Sequence, residues 1–179
     1  MKKILFICTG NTCRSSMAEG FFNDAVGKDS ALAESFISFS AGIMAMDGDN
    51  ASNNAIQAMR EGWGIDISFH KAKSIRYEYI KNAYLILTMT QAHKDAILQL
   101  FPEINSKVYT LKEYAAETID SERQKDQLFK NYNFDFNYDF NIDIPDPYGK
   151  PLELYKYCAH DIKKAVDLTI ERLKLLTNL

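Results

Sequence analysis

Ile4-Leu5-Phe6-Ile7-Cys8-Thr9-Gly10-Asn11-Thr12-Cys13-Arg14-Ser15-Ser16-Met17-Ala18-Glu19-Gly20-Phe21-Phe22 sets the architecture. Residues 4–7 are a short unbroken apolar run, the pattern of a strand buried on both faces. A polar loop follows. Beyond it Met17, Ala18, Phe21, Phe22, Ala25 and Val26 recur at helical spacing, an apolar stripe that faces a core. The opening unit is therefore strand, loop, helix. Further along, 36–41 reads as a second strand, 55–60 as a helix stopped near Gly62 and Gly64, and 83–88 as another buried strand. The pattern continues with a helix over 91–100, a fourth strand over 108–111 and a last helix over 152–176. That helix places Tyr155, Ile162, Val166, Ile170 and Leu173 on one side. Strands alternating with helices predict an α/β fold built on an open parallel four-stranded sheet with helices on both faces, its functional edge at the carboxyl ends of the strands.

Composition fits one domain over 1–179. The chain has 179 residues, 46% of them hydrophobic and 25% charged, enough for one full core and too few for two typical domains. There are 21 Lys and Arg against 24 Asp and Glu, a formal charge of −3, with no long basic run. That argues against nucleic-acid and anionic-membrane partners. The apolar stretches fall far short of a membrane span, and the Met1-Lys2-Lys3 start runs directly into the first strand, so neither signal peptide nor anchor is expected. Three cysteines, Cys8, Cys13 and Cys158, make no disulfide framework. Free thiols in a reducing cytoplasm are the expectation.

The loop from Cys8 to Ser15 carries the chemistry. A loop that enters a helix N-terminus turns backbone N–H groups inward, and Gly10 and Asn11 tolerate the left-handed backbone such an anion nest uses. Thr9, Gly10, Asn11, Thr12, Cys13, Arg14 and Ser15 would thus cradle phosphate or another tetrahedral oxyanion. Arg14 adds a guanidinium fork for two of its oxygens. Cys8 at the base feels the helix dipole and that cation, surroundings that favour thiolate, and Ser15 is placed to hydrogen-bond the sulfur. A thiolate attacking phosphorus needs its leaving group protonated. Asp146-Pro147-Tyr148-Gly149 offers the acid: Pro147 restricts Asp146 to an extended conformation and Gly149 permits a sharp turn, so the loop can present a carboxyl group rigidly.

Together these pieces resemble the low-molecular-weight protein phosphatases, often called the low-molecular-weight protein tyrosine phosphatase family. The likeness covers nearly the whole chain. It rests on Cys8 to Ser15 with Met17-Ala18-Glu19, Ser40-Ala41-Gly42, Leu87-Thr88-Met89-Thr90 and Asp146-Pro147-Tyr148-Gly149. The resemblance implies a flavodoxin-like fold, no cofactor or metal, and a phosphorylated protein as substrate. It implies Cys8 as the nucleophile that forms a phosphocysteine, Arg14 as the ligand of the phosphoryl oxygens, and Asp146 as the acid that later becomes the base. Asn11 and Ser15 would shape the loop, His70 would support the asparagine, and Tyr148 would wall the substrate slot. One departure is Met17 following Ser16 directly, where the family commonly has proline; this alters the helix start and touches no reacting atom.

Thr12 bears on the substrate. Tyrosine-specific members usually carry a larger aliphatic residue there, whereas threonine resembles the bacterial branch acting on protein phosphoarginine, as does Val108-Tyr109-Thr110-Leu111-Lys112-Glu113-Tyr114. A small polar Thr12 leaves room for a guanidinium, and Asp146 can pair with it. Phosphoarginine is the first expectation and phosphotyrosine the alternative, since Tyr148 stacks on a phenol as readily. Arsenate reduction would need further cysteines after the third strand, and 82–106 contain none. A non-catalytic phosphoprotein-binding module would have no use for Cys8, Arg14 and Asp146 together. Cys8 and Cys13, five apart in a curved loop, are a candidate redox pair.

The stretch 116–144 is longer than the connection expected there. Phe134, Phe136, Tyr138, Phe140, Ile142 and Ile144 alternate with Asp135, Asn137, Asp139, Asn141 and Asp143, a strand period with one apolar face. An added edge strand or flap is the plain reading, and a substrate-facing lid the sharper one. A metal site is not expected, because Asp135, Asp139 and Asp143 on a strand do not converge.

Overall fold

The computed structural model describes residues 1–117 and 142–177. Strand β1 (Lys2–Cys8) is flanked by β2 (Phe36–Gly42) and β3 (Leu85–Thr88), with β4 (Val108–Thr110) beyond β3. The order is β2-β1-β3-β4 and every pairing is parallel. Phe6 stands opposite Ser40 on one side and Leu87 on the other, and Cys8 ends β1 opposite Gly42. The four-stranded open α/β sheet is as the sequence predicts.

Alternation along β1 splits the core into two layers. Ile4, Phe6 and Cys8 face one side, where they pack with Met17, Phe21 and Phe22 of α1 (Arg14–Gly27) and Ala159, Ile162 and Val166 of α7 (Leu152–Thr177). Leu5 and Ile7 face the other, against Ile80 of α4 (Tyr77–Asn82) and Ile97 of α5 (Gln91–Leu100). Each buried Ile, Leu, Val, Phe or Met among them contributes on the order of 1.5–3 kcal/mol of transfer free energy. Cover on both faces is why residues 4–7 read as unbroken apolar sequence.

The remaining helices are α2 (Ser30–Ser35), α3 (Asn53–Trp63) and α6 (Leu111–Ala116), with a 3-10 turn at Pro102–Lys107. Several boundaries differ from the sequence reading. Helix α1 starts at Arg14, inside the polar loop, because the Cys13 carbonyl already accepts from Met17 N at 3.0 Å. The strand expected over 108–111 stops at Thr110. There the Thr110 hydroxyl accepts from Glu113 N at 3.1 Å and Glu113 accepts from Thr110 N at 2.9 Å, a reciprocal cap that commits Leu111 to α6. Ala83 belongs to the end of α4, so β3 opens at Leu85. Helix α3 opens earlier than expected, at the Ser52 cap, and stops at Gly64, one of the two expected stops, whose φ of 69° ends it in the left-handed region.

Of the unusual insert, the alternating residues 134–141 lie outside the described residues. The chain re-enters at Ile142, and buried Ile144 ties it to the sheet by donating to the Met89 carbonyl at 2.8 Å. Asp143 accepts from Gln91 N at 2.7 Å, at the start of α5. Among the described residues no helix is long and apolar enough to cross a membrane, and no group of three or more His, Cys, Asp or Glu is placed to hold a metal ion.

Candidate active site

The loop after β1 lies where the strand order changes direction, between β2 and β3, the position at which open parallel sheets bind ligands. Its carbonyls are tied outward. Cys8 O accepts from Ile43 N at 3.0 Å, Thr9 O from Met44 N at 2.9 Å, Thr12 O from Ser52 N at 2.8 Å, and Asn11 O from His70 Nε2 at 2.8 Å. Across a planar trans peptide the next N–H points opposite to the carbonyl, so the amides of Thr9, Gly10, Thr12 and Cys13 turn to the inside of the loop. Gly42 makes this packing possible: a Cβ there would stand 2.5 Å from Thr9 O and 2.9 Å from Asn11 N. Of the two residues expected to take left-handed backbone, only Asn11 does, with φ 55°; Gly10 is not among the positive-φ residues.

Asn11 is fixed by its side chain. Its Nδ2 donates to Ser15 Oγ at 2.9 Å and Ser40 Oγ at 2.7 Å, and its Oδ1 accepts from Lys73 N at 2.8 Å. Ser40 in turn donates to Glu19 Oε2 at 2.5 Å, and Glu19 lies 3.7 Å from His70 Nδ1. The ring closes on Asn11 itself through His70. This set of bonds holds a non-glycine residue in a conformation that otherwise costs energy.

Proton accounting then decides what Cys8 receives. An amide NH2 only donates, so Ser15 Oγ accepts from Asn11 and has its own proton left for Cys8 Sγ, 3.0 Å away. Asn11 N donates to the same sulfur at 3.3 Å. Two donors converge on Sγ at the N-terminal end of α1, an arrangement that stabilises negative charge on sulfur.

Arg14 is buried beneath the cradle. Its NH1 donates to Ile144 O at 3.2 Å and its NH2 to Asp146 Oδ2 at 2.6 Å. Among the described residues, Nε of Arg14 is the buried side-chain nitrogen or oxygen without a hydrogen-bond partner. Asp146 is itself set by its Oδ1, which accepts from Tyr148 N at 3.1 Å. Arg14 and Asp146, 132 positions apart in sequence, thus meet beside the loop that begins at Cys8. A cleft of about 490 Å³ opens there, lined by Thr9, Gly10, Thr12, Cys13, Arg14 and Asp146. Exposed Met44, Met46 and Tyr148 flank it, together with Asp49.

The other two cysteines differ in setting. Cys13 Sγ lies 3.3 Å from Ser52 Oγ and 3.6 Å from Tyr155 Oη. Cys158 on α7 donates to Pro145 O at 3.5 Å, and burial pushes its thiol up to about 12. It is a packed thiol bonded to the loop that carries Asp146.

Sequence reasoning missed two residues. Tyr155 read as core, and it is, yet its hydroxyl reaches the cradle cysteine; burial raises its phenol above the ordinary value. His93 was not singled out. Its Nε2 lies 2.9 Å from Thr9 Oγ1 and its Nδ1 2.8 Å from Thr90 Oγ1. The available signal was Thr90-Gln91-Ala92-His93, a cap and one helical turn at the carboxyl end of β3, the edge where ligands bind.

The sequence profile of the low molecular weight phosphotyrosine protein phosphatases matches residues 3–127. A protein-arginine-phosphatase of Geobacillus stearothermophilus is 33% identical over 172 residues, 96% of either chain. A probable low molecular weight protein-tyrosine-phosphatase EpsP of Ralstonia nicotianae is 30% identical over 98% of this chain and 99% of its own. The crystal structure of a low molecular weight protein tyrosine phosphatase from T. tengcongensis superposes with a TM-score of 0.77 at 37% identity, over 96% of this chain and 99% of that one. With the profile covering well over half of the chain and relatives running its length, the protein belongs to the low molecular weight protein phosphatase family and is a phosphatase enzyme of that family.

Proposed function

We propose that the protein hydrolyses phosphorylated protein side chains through a phosphocysteine intermediate, with phosphoarginine preferred. The observation that carries this is the loop after β1, where Cys8 Sγ receives the Ser15 hydroxyl and the Asn11 amide while the buried Nε of Arg14 has no partner. A phosphoryl group seated on the cradle amides gives that N–H its acceptor and puts phosphorus over the sulfur.

The Cys8 thiolate attacks phosphorus, and the bond to the side-chain nitrogen or oxygen breaks. Asp146 gives its proton to the leaving atom. Water then attacks the phosphocysteine, Asp146 takes the water's proton, the P–S bond breaks, and phosphate leaves with Cys8 again a thiolate. Before this, the phosphoryl group must displace Asp146 from Arg14 NH2, now 2.6 Å away. That exchange frees the carboxylate, which takes up a proton from solvent before it serves the leaving side.

Phosphoarginine is favoured by the cleft wall. Thr12 presents a short polar side chain there, and Asp49 supplies a carboxylate for a guanidinium. The 33% identity to a protein named as an arginine phosphatase supports the same choice. Phosphotyrosine is the second reading, favoured by Tyr148, which is 71% exposed beside the cleft and available to stack on a phenol. Arsenate reduction is disfavoured, since the third cysteine is buried under Pro145 rather than placed as a relay thiol. The reading takes 1–179 as a single phosphatase domain in the cytoplasm, with no cofactor and no nucleic-acid or membrane partner.

The test is phosphate release from matched phosphoarginine and phosphotyrosine peptides. Cys8→Ser should abolish release while inorganic phosphate still binds, since Arg14 and the amides remain. Retained hydrolysis would remove Cys8 as nucleophile. The reading also pairs Cys8 with Cys13 as a reversible redox couple. Mass spectrometry after mild peroxide should find that disulfide; sulfinic or sulfonic Cys8 alone would reject it.

A further inference from the structure

His93 takes no part in the steps above, yet it is 9% exposed and both its ring nitrogens are engaged next to the cradle. Thr90 caps α5 and its hydroxyl oxygen accepts from the His93 backbone N–H at 3.2 Å, so the imidazole is seated at the start of its own helix. From there Nε2 reaches Thr9, 84 positions earlier, whose Oγ1 also lies 3.5 Å from Arg14 NH2.

Two of these bonds have a fixed direction. A guanidinium and a backbone amide only donate. Thr9 Oγ1 therefore accepts from Arg14, and Thr90 Oγ1 accepts from His93 N. The two ring contacts admit two tautomers; in the one with its ring proton on Nε2, the Thr90 hydroxyl donates to Nδ1 and Nε2 donates to Thr9. Both acceptor positions of Thr9 are then filled, and its own proton turns to the cleft that Thr9 lines. The opposite tautomer spends the Thr9 proton on Nε2 and shows a lone pair to an incoming phosphoryl oxygen, which is itself an acceptor.

Resting on the phosphatase reading, we propose that His93 is a positioning residue for phosphoryl transfer: by donating from Nε2 to Thr9 it orients the Thr9 hydroxyl as a donor to a phosphoryl oxygen held by Arg14. The ring does this as a neutral group. Burial and the neighbouring Arg14 lower its pKa to about 4, against the opposing pull of Asp146 and Asp143, so one ring nitrogen is a donor and the other an acceptor at neutral pH.

The experiment is a double-mutant cycle on the full chain with para-nitrophenyl phosphate as substrate. Thr9→Val and His93→Ala should each lower kcat by about ten- to a hundredfold, the range for losing one donor to a transition-state oxyanion or its orientation. Because His93 acts through Thr9, the double variant should be no slower than the worse single one, within about twofold; multiplied losses would overturn the proposal. His93→Gln, whose amide N–H can reach Thr9, should restore most of kcat, and a rate equal to that of His93→Ala would overturn it. In ¹⁵N NMR of the wild type with saturating inorganic phosphate, the His93 ring should carry its proton on Nε2. A proton on Nδ1 would refute the assignment. Absence of turnover by the wild type sinks the phosphatase reading, whereas normal turnover with multiplied losses sinks the role of His93 alone.

Discussion

Lowering the pH from 6.5 to 4 charges an ordinary histidine, but in the folded chain it has to force a proton onto His93, where burial comes first and the Arg14 cation second among the opposing effects. The unfolded chain takes up that proton near 6.5 and the folded one only near 4. Between those values the unfolded state binds more protons, so stability rises with pH through the window and is lost as the solution is acidified. At 1.36 kcal/mol per pH unit the full loss is about 3 kcal/mol, a large part of the 5–15 kcal/mol typical of a domain. Other groups titrate nearby: Asp29, Asp47 and Asp66 all have carboxyls held low by backbone hydrogen bonds, and they too lose their contribution in acid. Comparison with His93→Gln cancels them, because only position 93 differs. Urea unfolding followed by circular dichroism from pH 4 to pH 7 should show the two proteins diverging as pH falls, with the wild type losing about 3 kcal/mol more. Parallel curves would refute the placement of a neutral, desolvated imidazole beside Arg14.

Asp146→Asn should slow turnover by roughly 10² to 10⁴, with a smaller loss for substrates having good leaving groups. Equal loss for good and poor leaving groups would count against an acid role. Thr12→Ile adds bulk at the cleft wall and removes a hydroxyl, so the ratio of phosphoarginine to phosphotyrosine kcat/KM should fall about tenfold to a few hundredfold, equivalent to about 1–3 kcal/mol. An unchanged ratio would remove Thr12 as the selector. Gly42→Ala places a methyl group 2.5 Å from the Thr9 carbonyl and 2.9 Å from the Asn11 amide, both backbone atoms of the cradle. Since a misplacement near 1 Å costs about 10²-fold, kcat/KM should drop at least that far while far-ultraviolet circular dichroism is retained; wild-type kinetics would show that the cradle yields freely.

How much of this was legible depended on length and on locality. The unit from β1 through α1 was readable because burial on both faces leaves a continuous apolar run and a 14-residue helix repeats its stripe several times. Helices α2, α4 and α6 have six residues each, fewer than two turns, so no periodicity establishes them. Helix α6 had a local signal all the same: Thr110 and Glu113 stand three apart, the spacing of a reciprocal cap. The apolar Val108 and Leu111 favoured a longer strand, and the cap won because a strand cannot satisfy the Thr110 amide with the Glu113 carboxylate.

In the site, Cys8, Arg14, Ser15 and Asn11 were legible because one loop holds all four. His93 was hidden because its meaning comes from Thr9, a long-range neighbour that only the sheet order brings close. Its chemistry also differs from what an anion site suggests at first, which is another cation. A lysine or arginine at position 93 would be a second positive charge beside Arg14. It would hold the Asp146 carboxylate in the cradle more firmly, against the exchange that a phosphoryl group has to make at Arg14 NH2. A neutral imidazole supplies a hydrogen bond without that charge. In the proposed mechanism it orients Thr9 and leaves the Arg14 guanidinium as the cation for which Asp146 and the phosphoryl group compete, so that Asp146 would be released to the leaving group when the substrate arrives.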